Sequence, residues 1–487
     1  MSETQRPNIV LLTADQWRGD CLGCESGRHP VMTPHINQLA AEGARFTQAY
    51  ADCPICVPQR ISMLTGWTAS HFGRPYNSLE RLPVEGASLP GLLTRQAGYQ
   101  TRAIGKMHFQ PERARFGFEH IALHPNDYVN WLEDTPYAGM YRGHGLGGNE
   151  VYPAVSAVPE RYTHTHWIID ESIRFLETRD PDNPFFLWMV FEAPHSPFDP
   201  PEPYDRMYDR FTIPAPARGD WAAAAMPPWL AARVIAQKFD QVTPEMLQEI
   251  RRRYYGQISH IDYQLGRFLG ELKTRGLYDD TLIVFTADHG EHLGDHGLFG
   301  KATFLQSSGR VPLIVRPPHR TPLAHPALEL DSPVLTVDLF PTLLQAAGLE
   351  PPSGVDGHSL LPAMSEGHGD ADRIVCGEAG RGDGTAFALG RGFKYLYYAA
   401  GGIEQLFDTR SDPDDLHDLA RRDANAGILL ELRQALVGTL ARFGRPMVRD
   451  GELVAVGLEM DEYALRGRNE CAWRGPLRYG QGYGTVI

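Results

Sequence analysis

The fold is constrained most by two matching apolar runs that lie far apart in the chain. Residues 8–15 read Asn-Ile-Val-Leu-Leu-Thr-Ala-Asp, and residues 281–288 read Thr-Leu-Ile-Val-Phe-Thr-Ala-Asp. Their apolar residues are consecutive rather than alternate, which indicates strands buried on both faces, as in a parallel sheet covered by helices. Residues 185–191 and 312–315 are two further strand candidates.

Amphipathic helices separate these runs. The clearest begins with Thr243 as N-cap and Pro244 at the first helical position. Its apolar stripe advances in steps of three and four residues: Leu247, Ile250, Tyr254, Ile258, Ile261, Leu265 and Phe268. The alternation predicts an α/β fold with a large mixed, mostly parallel sheet sandwiched by helices.

The pattern of predicted secondary structure changes near residue 372. Short strand-like runs at 373–377, 386–389 and 393–398 precede a helical segment at 428–443. We therefore predict a catalytic domain at 1–371 and a smaller α+β subdomain with a tail at 372–487. The tail at 473–483 is rich in glycine and aromatic residues, and we expect it to lie across the body or a neighbouring subunit.

Composition narrows the function classes. A net charge of −14 argues against nucleic acid as a partner. The N-terminus is polar and lacks a secretory pattern, and the longest apolar run is too short to cross a membrane. Six cysteines in 487 residues do not make a disulfide scaffold. These features predict a soluble cytoplasmic protein without membrane contact.

The segment Cys56-Val57-Pro58-Gln59-Arg60 is the strongest candidate for chemistry. Pro58 suits the first turn of a helix, because its missing N–H costs nothing there. Residue 56 would then lie at a helix N-terminus, where free N–H groups favour an anion. An alternative is structural zinc, since Cys21/Cys24 and Cys53/Cys56 form two C-x-x-C pairs.

A metal site is predicted where the two matching runs end. Asp15 and Asp288 end buried strands, and Gln16 and His289 follow them directly. Ligands of open α/β sheets bind beyond the carboxyl ends of the strands. Two carboxylates, an amide oxygen and an imidazole could hold a divalent cation there, although each aspartate could instead cap the next turn.

Several ordered motifs carry a resemblance that covers most of the chain. They are C-x-P-x-R at 56–60, G-K-x-H at 105–108, A-P-H-x-P at 193–197, a D-H-G…G-D-H-G…G-K…R-V-P block at 288–312, a stretch at 338–361 and an acidic turn at 404–413. In these motifs the chain resembles the type I sulfatases of the alkaline phosphatase superfamily. The resemblance implies an alkaline phosphatase-like fold and conversion of Cys56 to formylglycine by a formylglycine-generating enzyme.

The resemblance also implies roles for individual residues. The hydrated aldehyde at residue 56 would attack sulfur, and its second hydroxyl would let the sulfate leave. Lys106, Lys301 and His195 would neutralise sulfuryl oxygens or protonate the leaving group. Arg60 would hold the hydrated aldehyde, and His108 would take the proton from the second hydroxyl. The metal ligands would be Asp15, Gln16, residue 56, Asp288 and His289.

The first metal pair departs from the family pattern. Many sulfatases have Asp-Asp where this chain has Asp15-Gln16, which resembles the branch of choline sulfatases and phosphonate monoester hydrolases. The family default is Ca²⁺, while His289 would also suit Mn²⁺, Mg²⁺ or Zn²⁺. Only five lysines occur among 46 basic residues, and two of them are Lys106 and Lys301. A lysine in an arginine-rich chain suggests a site that needs a compact charge.

Substrate contacts are harder to predict. Asn77 and His296 are candidates for substrate binding, each with a structural alternative. The aromatic-rich stretch 109–160 could form an apolar or sugar-stacking pocket, or a packed insertion. We expect hydrolysis of a small sulfate ester whose alcohol part stays open. The alternatives are phosphonate monoester or phosphodiester hydrolysis and a non-enzymatic zinc-binding protein, and a homo-oligomer is also open.

Overall fold

The computed structural model describes residues 6–25, 27–78, 80–81 and 87–457. The tail at 473–483 lies outside the described residues. The strands are β1 (Asn8–Asp15), β2 (Ala44–Phe46), β3 (Ala49–Tyr50), β4 (Gln100–Gly105), β5 (His120–Leu123), β6 (Phe185–Pro194), β7 (Thr281–Ala287), β8 (Leu313–Arg316), β9 (Leu328–Leu330), β10 (Val334–Leu335), β11 (Val375–Ala379), β12 (Thr385–Gly390), β13 (Phe393–Tyr398), β14 (Ile403–Asp408), β15 (Val448–Arg449) and β16 (Glu452–Leu453).

The α-helices connect these strands and flank them. They are α1 (Pro34–Glu42), α2 (Cys56–Thr65), α3 (Ala69–Phe72), α4 (Leu89–Ala97), α5 (Asn126–Glu133), α6 (His164–Thr178), α7 (Trp221–Ala224), α8 (Pro228–Ala236), α9 (Pro244–Thr274), α10 (Gln306–Gly309), α11 (Leu339–Ala346), α12 (Leu361–Glu366) and α13 (Ala426–Arg442). No helix among the described residues is both long and apolar enough to span a membrane.

An eight-stranded sheet forms the centre of the molecule, in the order β5-β4-β6-β1-β7-β8-β2-β9. Strand β8 pairs antiparallel with both of its neighbours, and the other pairs are parallel. Every residue of β6 and β7 is buried, as expected for strands covered on both faces. The predicted large mixed, mostly parallel sheet is therefore confirmed.

Two groups of helices cover this sheet. Helices α1, α6 and α9 contact one another through α9 and pack on β6 and β8, while α2, α4 and α11 form a second group that reaches β4 through α4. Helix α9 begins as its sequence predicts, because the Thr243 side chain accepts a hydrogen bond from the N–H of Met246 and Pro244 is the first helical residue.

A second, antiparallel sheet follows in the chain, in the order β11-β12-β13-β14, with α13 packed on β12 and β13. This is the C-terminal subdomain that the sequence predicts; its boundary at residues 371 and 372 stays a prediction. Aromatic rings join it to the large domain. Phe387 stacks on Phe304 at 4.2 Å between ring centroids and on Tyr50 at 5.8 Å.

A buried ion pair of the C-terminal subdomain also bonds to the large domain, through Gln306. The ammonium of Lys394 on β13 lies 2.8 Å from the Asp415 carboxylate and 3.2 Å from the Gln306 amide oxygen, and all three side chains are buried. Asp415 also accepts a hydrogen bond from the N–H of Gln306. A buried carboxylate stripped of its cation is strongly destabilising.

We expect Lys394→Met to lower the free energy of unfolding by about 3 kcal/mol, because the buried Asp415 carboxylate would lose its cation. The double variant Lys394→Met/Asp415→Asn should recover part of this loss, since asparagine is neutral and tolerates the left-handed backbone of residue 415 (φ 56°). Thermal and denaturant unfolding of both variants measure the difference. Equal losses in the single and double variants would contradict this account.

Candidate active site

Four neighbouring strands of the central sheet bring charged residues to one edge. Asp15 ends β1, Asp288 follows β7, Lys106 follows β4, and His195 follows β6. These strands are parallel, and β1 lies between β6 and β7 with Ala14 opposite Ala287. The predicted meeting of Asp15 and Asp288 at the carboxyl edge therefore occurs.

Cys56 reaches this edge from a different direction, as the first residue of α2. All ten residues of this helix are buried. The N-cap residue is Ile55, whose side chain makes no capping hydrogen bond. Asn77 partly fills that role, because its side-chain oxygen accepts a hydrogen bond from the N–H of Val57 at 3.1 Å. Residue 56 is thus held at a buried helix N-terminus, as Pro58 in the first turn predicts.

Three cations surround the two carboxylates and the sulfur. Arg60 donates to Asp288 at 2.8 and 3.0 Å and to Asp15 at 2.8 Å. The ammonium of Lys106 lies 2.8 Å from Asp15, and that of Lys301 lies 2.9 Å from the Cys56 sulfur. Arg60 also donates to the backbone oxygen of Lys106, which ties two of the cations together.

These charges shift the pKa of Cys56. Burial and the charge of Asp15 act to raise the pKa of the thiol, but Lys301, His289 and a hydrogen bond with His108 outweigh them and hold it well below its usual range. Burial alone would also raise the pKa of Asp15, yet Lys106, Arg60 and Lys301 hold it well below normal. The pocket is therefore built for negative charge at residue 56 and at Asp15.

The two histidines present defined ring nitrogens. His289 Nδ1 donates to the backbone oxygen of Gly290 at 2.9 Å, and its Nε2 lies 3.2 Å from the Cys56 sulfur. Burial tends to lower the pKa of this imidazole, but Asp288 and Cys56 raise it above its usual value. His195 Nδ1 likewise donates to the Ser196 oxygen at 2.8 Å, and its Nε2 accepts from Lys301 at 2.8 Å. Burial, Lys106 and Lys301 lower the pKa of His195 to about 3, which keeps it neutral.

The donor set fits a divalent cation. Ligand atoms of Asp15, Cys56, Asp288 and His289 all lie within 4.8 Å of one another, and all four residues are buried. His289 Nε2 faces this cluster and its Nδ1 is fixed by a carbonyl, which is the arrangement of a metal-bound histidine, and a cation would displace a proton from Nε2. Burial and the neighbouring Asp15 raise the pKa of Asp288, a repulsion that a bound cation would relieve.

Gln16 is held beside this cluster by a residue that sequence reasoning missed. Its side-chain N–H group donates to the carboxylate of Glu291, which also accepts from the N–H groups of Leu293 at 2.8 Å and Gly300 at 2.7 Å. This bond assigns the amide orientation and leaves the oxygen of Gln16 as the atom for a cation. The position of Glu291 in the 288–301 block was the only signal in the sequence.

Two predicted substrate contacts have different surroundings. The His296 ring stacks on Trp221 at 4.9 Å between ring centroids, and its Nδ1 accepts from the N–H of Gly219, so its partners lie in that loop and not at residue 56. Asn77 lies next to residue 56 and contacts the N–H of Val57 there. His108, in contrast, contacts Cys56. Its backbone is left-handed (φ 57°), and its buried Nδ1 has no hydrogen-bond partner among the described residues.

Two other interpretations of the sequence find less support in the geometry. Within the part of the chain that the structure describes, no metal-ligand cluster unites the two C-x-x-C pairs. In the 109–160 stretch, Tyr128 stacks on Trp131, and the ring centroid of Tyr137 lies 4.7 Å from that of Tyr162. These aromatic residues form a packed insertion, and Tyr128 and Tyr141 also line a cavity that reaches His195.

Comparison with known proteins identifies similar chains. The sequence profile of a family described as Sulfatase matches residues 7–349. An arylsulfatase of Clostridium perfringens is 33% identical over 89% of this chain and 94% of its own length. A choline-sulfatase of Rhizobium meliloti is 29% identical over 86% of this chain and 83% of its own length. The crystal structure of a phosphonate monoester hydrolase of Agrobacterium radiobacter superposes with a TM-score of 0.80 and 30% identity, covering 90% of this chain and 96% of that one.

We expect Glu291→Leu to weaken binding of a divalent cation about 10- to 100-fold, because the Gln16 amide loses the acceptor that orients it. Glu291→Gln keeps an oxygen at the same position and should bind the cation nearly as well as the parent protein. Isothermal titration of the metal-stripped variants measures both affinities. Equal weakening in the two variants would contradict the orienting role.

Proposed function

Because this chain belongs to the sulfatase family, we propose that it hydrolyses sulfate monoesters by S–O cleavage, with residue 56 as formylglycine for its nucleophile. The carrying observation is the position of Cys56. It lies at a buried helix N-terminus between the Lys301–His195 pair and the cluster of Asp15, Asp288 and His289. A nucleophile and an anionic sulfuryl group would both be stabilised there.

The aldehyde and the metal supply chemistry that the unmodified side chains lack. As a hydrate, formylglycine offers one hydroxyl to attack and a second to break the enzyme ester. A divalent cation, held by Asp15, Gln16, residue 56, Asp288 and His289, would act as a Lewis acid on sulfate oxygens. We propose Ca²⁺ first, with Mn²⁺, Mg²⁺ or Zn²⁺ as alternatives, and a formylglycine-generating enzyme as the maturation partner.

Lys301 and His195 would stabilise and protonate the leaving group. His195 is neutral and accepts a hydrogen bond from the Lys301 ammonium, so the lysine is the proton-bearing member of the pair. Its charge would stabilise the oxygen that develops negative charge, and the pair could deliver a proton to the departing alcohol. Burial tends to lower the pKa of Lys301, but Cys56, Asp15 and Asp288 keep it above its usual value.

The remaining residues would act on the other side of residue 56. Arg60 bridges Asp15 and Asp288 and would fix the position of the nucleophile through them. Lys106, paired with Asp15, would neutralise a sulfuryl oxygen. His108 makes a side-chain hydrogen bond with residue 56, which suits a base that would remove the proton of the second hydroxyl.

Hydrolysis of phosphonate monoesters is the second candidate. The superposition on a phosphonate monoester hydrolase favours it. The Asp15-Gln16 pair resembles a branch that contains both these enzymes and choline sulfatases. The Lys106/His108 pair favours the sulfatase, because phosphonate monoester hydrolases of this branch look different at that segment. The alcohol part of the substrate is left open in this proposal.

Peptide mass spectrometry across residue 56, on protein produced with a formylglycine-generating enzyme, should detect the aldehyde. The mature protein should then hydrolyse an aryl sulfate faster than an aryl phosphonate with the same leaving group. An intact thiol despite an active maturation enzyme would refute the mechanism. Faster phosphonate hydrolysis would instead assign the second candidate function.

Lys301→Ala should lower kcat for an aryl sulfate about 10²- to 10³-fold, since a charge aimed at the reacting oxygens is lost. The matched control is Lys273→Ala, an exposed lysine of α9, which should leave kcat unchanged. The aldehyde content of each variant is measured in parallel, because Lys301 contacts Cys56. A rise in KM at constant kcat would contradict the assigned role.

A further inference from the structure

A second cluster of metal-binding side chains lies on the other side of Lys106. His124 follows β5, His164 begins α6, and Glu192 lies near the end of β6. Their ligand atoms all lie within 4.8 Å of one another. His124 Nε2 is 3.4 Å from a Glu192 carboxylate oxygen, and the two imidazole rings are 4.8 Å apart at their centroids.

Three ring nitrogens of this cluster lack hydrogen-bond partners among the residues that the structure describes. Both ring nitrogens of His124 are buried in this unpaired state, and so is Nδ1 of His164. The His124 side chain is fully buried. Buried polar atoms in folded proteins are nearly always paired, so an unpaired imidazole that faces a carboxylate calls for a ligand. Burial lowers the pKa of both histidines, to about 3 for His124, so both are neutral as metal ligands must be.

The dimensions suit a small tetrahedral ion. Zinc bonds of about 2.1 Å at tetrahedral angles place neighbouring ligand atoms about 3.4 Å apart, the separation found between His124 and Glu192. A cavity of about 40 Å³ lined by His164 and Glu192 adjoins the cluster. That volume holds an ion with one or two waters and gives it a route of entry.

The charges around the cluster allow Glu192 to serve two partners. One carboxylate oxygen lies 2.9 Å from Arg142 and 3.6 Å from Lys106, and the other faces His124. Asp199 lines the same cavity and adds a second negative charge. A cation in the cavity would therefore meet two imidazoles and a carboxylate oxygen, with another carboxylate nearby.

We propose that His124, His164 and Glu192 form a second metal site, selective for Zn²⁺ or a similar transition ion and separate from the site at Asp15, Asp288 and His289. Two imidazoles and one carboxylate suit zinc, whereas calcium prefers ligands that are all oxygen. An ion at this site competes with Lys106 for Glu192. Because Lys106 belongs to the proposed sulfuryl site, zinc binding here should inhibit the enzyme.

Zinc counting tests the site without relying on activity. Protein loaded at its first site is equilibrated with Zn²⁺, freed of excess ion and assayed for zinc by elemental analysis. We expect one additional zinc per chain in the parent protein and none in His164→Ala. The matched control is His166→Ala, on the same helix and in contact with Arg267, which should keep the additional zinc.

Two further measurements locate the ion. Cobalt substitution should give the strong visible absorption of a tetrahedral site in the parent protein and not in His164→Ala. Anomalous scattering at the zinc edge should place a peak between His124 and Glu192. Equal zinc counts in parent and His164→Ala, or a peak only at Asp15 and Asp288, would overturn the proposal, and the cavity would then hold water alone.

The proposed inhibition by zinc is tested separately, by comparing the parent protein with His164→Ala. Zinc should lower the rate of the parent protein at least tenfold and leave His164→Ala unaffected, since the variant lacks one ligand of the proposed site. If His164→Ala does not fold, His164→Gln replaces it. Equal inhibition of parent and variant would place the inhibitory zinc at the first site. The zinc count is independent of the substrate, so it stands or falls separately from the proposed function.

Discussion

The structure depends on holding two buried carboxylates side by side. Asp15 and Asp288 end neighbouring parallel strands, so the geometry of the sheet forces their charges together in a site with almost no solvent contact. Such a pair is stable only if cations surround it. Arg60 bridges both carboxylates, and this bridge also fixes the start of α2 against the sheet. Residue 56, the proposed nucleophile, is thereby positioned by the same contacts that neutralise the two carboxylates.

The strands of this site could be predicted from sequence because their burial is complete. Strand β1 has the bounds that its apolar run predicts, and β7 ends one residue before its aspartate. Strand β6 continues to Pro194, past the apolar run, because its last residues still pair with β1 near Asp15. The antiparallel direction of β8 could not be predicted, since a run of four apolar residues carries no sign of its direction.

The candidate site was predictable to the extent that its residues follow strands or begin a helix. Asp15, Asp288, Lys106, His195 and Cys56 all do so. Glu291 and Glu192 were missed because their roles arise from contacts across the fold, with Gln16 in one case and with Lys106, Arg142 and His124 in the other. The substrate-binding role of His296 stays a prediction: its left-handed backbone and the stacking of Trp221 fix its ring, and neither could be predicted from its sequence neighbours.

The stacking of Phe387 has a consequence for how the two sheets depend on each other. Phe387 belongs to the second sheet, yet the rings that cover it, Phe304 and Tyr50, belong to the first domain and lie close in sequence to Lys301 and to Cys56. A chain that ended at residue 371 would expose both rings to water and would loosen the two segments that carry the nucleophile and its lysine. The C-terminal sheet thus packs against segments that lead into the candidate active site. The two units that the sequence separates should therefore unfold together.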